Sequence, residues 1–102
     1  MKSDRQLNRW RGTYNRLYFD SNLPDAIVYW ESVSSAYATH QVVEGQHVIR
    51  INPALAGWHS VARFALLHEQ VHQRLYPDQR HGKRFNAEML RLAEAGAFDE
   101  LW

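Results

Sequence analysis

The residues of this sequence best suited to chemistry are His68-Glu69-Gln70-Val71-His72, two histidines flanking a glutamate in the HExxH pattern. If the segment is helical, side chains four positions apart lie one above the other, with Cβ atoms about 5–6 Å apart. Two imidazoles so placed can converge on one ion at a Zn–N distance of about 2.0–2.1 Å. Glu69 is turned about a quarter of the way round the helix, so it can reach a water on the metal without becoming a ligand. Zinc lowers the pKa of such a water toward about 7, and a carboxylate beside it can take the proton. The protonated acid can then deliver that proton to a leaving amine. These are needs of metal-assisted amide hydrolysis.

A catalytic zinc site requires a third protein ligand. His81 is the leading candidate, nine residues beyond His72 and past the Pro77 break, where the chain can fold back over the ligand helix. Gly82 follows it and allows close backbone approach. Glu88 and Glu94 are its rivals, on the pattern of sites completed by a helical glutamate. His40, His47 and His59 read as surface or core histidines. Tyr37 and Tyr76 have the chemistry to steady an oxyanion, but nothing in the sequence singles either out.

The elements that must hold these groups follow from periodicity. Val61, Phe64, Ala65, His68, Val71, His72 and Leu75 recur at steps of three and four, which predicts a helix from about Trp58 to Tyr76 that Pro77 ends. Phe85, Met89, Leu92 and Ala93 predict a last helix from near Gly82, with Gly96 as its stop. Toward the N-terminus, Ser3 and Gln6 form a capping-box pattern opening a helix to about Phe19, with Leu7, Trp10, Tyr14, Leu17 and Tyr18 as its apolar stripe. Between the helical regions, Ala26–Trp30, Ala36–Val43 and His47–Ile51 read as strands, the last two joined by a hairpin turn at Glu44-Gly45. The fold class is therefore α+β, a small antiparallel or mixed sheet packed on three helices with the HExxH segment on the central helix.

The whole chain bounds the rest. Its 102 residues suit one domain spanning 1–102, and 45% hydrophobic with 23% charged residues is the balance of a globular protein. The absence of cysteine excludes disulfides and thiolate zinc sites. No apolar run approaches the roughly 20 residues that span a bilayer, and none follows the charged start, so the expectation is a cytoplasmic monomer without a membrane partner. Net charge is only +1, but cations gather in two places. Arg5, Arg9 and Arg16 lie in the first helix, and Arg80, Lys83 and Arg84 lie just past the site. If those regions pack side by side, they would form one face able to bind DNA weakly and without sequence preference.

Several segments together resemble the SprT-like metallopeptidase domains, the family that includes the Spartan DNA–protein crosslink proteases. Tyr14–Phe19 with Asn22-Leu23-Pro24 resembles the family's first helix and turn, and Ile27–Trp30 its first strand. Val48–Leu55 is similar to the segment before the catalytic helix, and His68–His72 is followed by the HGxxF element His81-Gly82-Lys83-Arg84-Phe85. The resemblance covers about residues 6–93 and implies a zincin-like domain holding one Zn2+ on His68, His72 and His81, with Glu69 as base. It also implies a protein or peptide substrate, associated with DNA in some members. Many members add a cysteine-based zinc ribbon, which this cysteine-free sequence does not contain, so DNA contact would fall to its own basic residues. Two other readings compete. Three-histidine metal-dependent nucleases place His-Gly where this chain has His68-Glu69, and a silent zinc-stabilised binding module would have no use for Glu69.

Overall fold

The computed structural model describes residues 4–33, 36–99 and 101. The first helix, α1, spans Arg5–Tyr18, and its cap is Asp4, whose carboxylate accepts the Leu7 N–H at 2.9 Å. The described cap is therefore Asp4, next to the Ser3 of the expected capping box; Ser3 lies outside the described residues. Leu7 and Tyr14 are buried, and Trp10 and Tyr18 pack against the same core. Leu17 departs from the expected stripe and is 58% exposed, because its position on the helix falls about 80° from Leu7.

Three strands follow: β1 (Ala26–Trp30), β2 (Ala38–Val43) and β3 (Gln46–Ile51). Glu44 and Gly45 both take positive φ, 50° and 82°, the conformation that matches a tight hairpin to the twist of its strands. The hairpin makes β2 antiparallel to β3, while β1 docks parallel on the other side of β3, giving a mixed sheet in the order β1-β3-β2. β2 begins two residues later than expected, so residues 36 and 37 are rim rather than strand. The register pairs His40 with Ile49 and Val28 with Ile49. Since directly paired residues share a face, the buried Val28 and Ile49 place His40 on the core side of the sheet.

After a short turn of 3-10 helix at Pro53–Leu55, α2 runs from His59 to Leu75. The expected one-sided stripe understates its burial. Ala62, Leu66, Leu67, Gln70 and Gln73 are buried alongside Ala65, Val71 and His72, because β2, β3, α1 and α3 all pack against this central helix. Two buried amides fix its rotation. Gln70 Nε2 donates to Arg11 O at 3.1 Å, and Gln73 Nε2 donates to Pro24 O at 2.6 Å.

The last helix, α3 (Lys83–Glu94), buries Phe85, Glu88 and Leu92, while Ala93, expected on that face, is exposed. Gly96 stops it at φ 88°. Its N–H reaches Ala93 O and the Ala97 N–H reaches Leu92 O, the paired bonds of a Schellman end. The tail then packs on the domain, with Leu101 only 2% exposed and the Phe98 ring 5.3 Å from Phe64. The result is one α+β domain of three helices and a three-stranded mixed sheet. Among the described residues, no helix is long and apolar enough to cross a membrane.

Candidate metal centre

Successive turns of α2 carry His68 and His72 on one flank, with ring centroids 5.1 Å apart. The chain leaves the helix at Tyr76 and reverses through a short loop. Asp78 ties that loop together: its N–H donates to Leu75 O, and its carboxylate accepts the Arg80 N–H at 3.1 Å. The reversal brings His81 back over α2. Its Nε2 lies 2.8 Å from His72 Nε2, and one nitrogen from each of His68, His72 and His81 falls within 4.8 Å of the others. Phe85, one turn into α3, sits against all three rings with centroid separations of 4.9, 4.9 and 4.6 Å. It is an apolar wedge that holds the imidazoles together.

These donors fit a metal ion. Nitrogens bound tetrahedrally at about 2.0–2.1 Å stand about 3.4 Å apart, a value inside the observed range. A ligand imidazole must be neutral. Burial lowers the His68 pKa, with the neighbouring His81 adding to it, and lowers that of His72 to about 4 through burial and the adjacent His68 and His81. Both shifts favour the neutral ring that a metal ligand requires. His72 faces the cluster with Nε2, 2.8 Å from His81 Nε2, while its Nδ1 is buried with no hydrogen-bond partner among the described residues.

Glu69 is only 6% exposed, yet it opens onto the same cleft as the histidines. Burial alone pushes its carboxyl up to about 7. The cleft has a volume of about 400 Å³ and is bounded on one side by α2 and on the other by residues 36–40. His40 reaches it from β2. Its Nε2 lies 2.9 Å from His47 Nδ1, the Tyr76 ring packs edge-on against both imidazoles, and burial with the His47 neighbour lowers its pKa to about 4. His40, read from the sequence as a surface or core histidine, lines the cleft, and Phe85 of the HGxxF element packs behind the three rings.

The rival ligands lie elsewhere. Glu88 is buried but clamped between Arg74 and Arg91, each at 2.6 Å, and Glu94 is exposed. His59 packs its ring against Trp10 at 5.3 Å, and His47 turns to His40. Tyr37 is 66% exposed on the cleft rim. Arg5, Arg9, Arg16, Arg80, Lys83 and Arg84 are all exposed, although Arg80 and Arg84 pair with Asp78 at 3.1 and 3.6 Å. Comparison with protein-family models and with curated proteins finds no match to this chain.

Proposed function

We propose that this protein is a zinc-dependent metallopeptidase of zincin-like architecture, cutting protein amide bonds. The observation that carries the proposal is the convergence of three histidine nitrogens and one buried carboxyl of raised pKa on a single open cleft. His68, His72 and His81 would hold the ion. When bound, such an ion supplies Lewis acidity, polarising a carbonyl and making a water acidic near neutral pH.

The chain's own residues supply the rest. Glu69 sits beside the histidines, and its carboxylate takes a proton from the attacking water and returns it to the departing amine. In the metal-free chain burial holds this carboxyl above the usual carboxylate range, and a bound cation would favour its ionised, proton-accepting form. The Phe85 wedge and the Asp78-braced loop keep His81 in place. A carboxyl buried this deeply is costly to fold, which favours an acid–base role over that of a silent zinc-stabilised module.

After reconstitution with zinc, the protein should hold one equivalent with a nitrogen and oxygen shell by X-ray absorption. It should cleave casein, lose that activity to a chelator and regain it with zinc. Less than half an equivalent of zinc, or hydrolysis of RNA without hydrolysis of casein, would overturn the proposal. The exposed cations of α1 and residues 80–84 would add a weak attraction for DNA, sequence-independent and steeply weakened by salt. A gel-shift series at low and moderate salt checks this, and no retardation at low salt would remove DNA from the proposal.

A further inference from the structure

The cleft beside the three histidines has a one-sided chemistry. Phe64 and Ala65 reach it from the turn of α2 just before His68, and Ala36, Tyr37 and Ala38 face it from the approach to β2. Among its described lining residues there is no Lys, Arg or Asp, and Glu69 is the lone carboxyl. The three alanines keep the volume near 400 Å³ open, while the two aromatic rings give it apolar walls. One wall is braced from behind, since Phe64 packs at 5.3 Å against Phe98, in the tail that Leu101 anchors in the core. The space is preformed.

A side chain entering such a space is selected by desolvation. A leucine or phenylalanine gains roughly 1.5–3 kcal/mol on leaving water. A lysine, arginine or aspartate would lose hydration and find no ion partner, which costs more than that. Glu69 offers no lasting partner for a lysine, because the proposed chemistry requires it to exchange a proton. Large apolar side chains are also the ones that folded proteins hide.

Resting on the peptidase reading, we infer that the cleft accepts a bulky uncharged apolar side chain next to the bond to be cut, so that the substrates are unfolded or locally opened polypeptides rather than folded surfaces. The recognition is by shape and desolvation, with no fixed charge involved.

The test uses the zinc-loaded protein and one small disulfide-bonded globular protein, offered native and reduced-and-alkylated, with products mapped by mass spectrometry. The alkylated form should be cut at least about tenfold faster, with Leu, Phe, Met or Ile flanking most cleaved bonds. Ala65→Leu and Ala36→Leu, which fill the space, should each lower the ratio of Phe-flanked to Ala-flanked cleavage by about tenfold or more. Equal cutting of both forms, cleavage flanked by Lys or Arg at their natural frequency, or an unchanged ratio in the variants would overturn the inference and leave the peptidase reading standing. No cleavage of either form would overturn both. Ala65 is buried, so if its variant fails to fold, Ala36→Leu at the half-buried rim decides.

Discussion

Glu69→Gln is expected to keep its zinc and lose peptide hydrolysis by a factor of about 10²–10⁴ in kcat, the range for removing a positioned acid–base group. The side chain is not among the three nitrogens that can hold the ion, so metal content should stay within error of the parent. Retention of more than about a tenth of the activity would show that another group moves the proton. The same substitution has a second expected effect, on the metal-free chain. The Glu69 carboxyl is raised from 4.5 to about 7 on folding, so the folded state binds this proton more tightly than the unfolded state does. Its contribution to stability is therefore fully present below pH 4.5 and is lost as pH rises through 7. At pH 8 the ionised carboxylate should cost about 3 kcal/mol, since each tenfold change in proton affinity is worth about 1.4 kcal/mol. Glutamine has no charge to bury. In a chelator, Glu69→Gln should thus melt about 10 °C or more above the parent at pH 8, and much closer to it at pH 5. Thermal melts at the two pH values check this, and a gap that does not widen with pH would sink it.

That trade, stability given up at the proposed site of chemistry, is why the motif was readable. Residues selected for chemistry break the local folding rules, and HExxH on an apolar helix puts a carboxylate and two imidazoles where packing alone would choose leucine. Local signals also sufficed where backbone geometry decides. Gly45 and Gly96 mark the hairpin and the end of α3 because positive φ is cheap for glycine, and both take it.

What was not legible depends on partners distant in sequence. The periodic stripe of α2 omitted Leu66, Leu67 and Gln70, because a helix covered from several directions has no solvated face to reveal its period. The parallel docking of β1 on β3 is likewise a tertiary choice. His40 lies between these cases. With the turn fixed at Glu44-Gly45, the hairpin pairs His40 with Ile49, and a residue opposite a core isoleucine shares its face. That inference was open to the sequence once the hairpin was assigned. The helix on which that face lands was not. For Glu88, burial was foreseeable from its neighbours Phe85 and Leu92, and Arg91 from its place three residues on in α3, but Arg74, which reaches it from α2, was not.

The rival assignments of the third ligand therefore separate by what each substitution breaks. His81→Ala removes one of the three clustered nitrogens and should weaken zinc binding by at least the 10–100-fold that follows loss of a mere supporting contact. It should cost little stability in the metal-free chain, since His81 is exposed on a loop braced by Asp78. Glu88→Ala should do the opposite. It leaves Arg74 and Arg91 without their shared carboxylate in a partly buried setting, for a loss of about 1–3 kcal/mol, discounted because both guanidinium groups reach solvent. The melting temperature should fall by several degrees, while zinc affinity, measured by competition with a chromophoric chelator well below that temperature, stays at the parent value. Glu94→Ala should change neither quantity, as the side chain is exposed near the end of α3. The two readouts keep a ligand distinct from a folding residue, because loss of metal without loss of stability can come only from the site. If Glu88→Ala or Glu94→Ala releases zinc while still folded, and His81→Ala retains it, the three-histidine centre is wrong and the SprT-like resemblance falls with it.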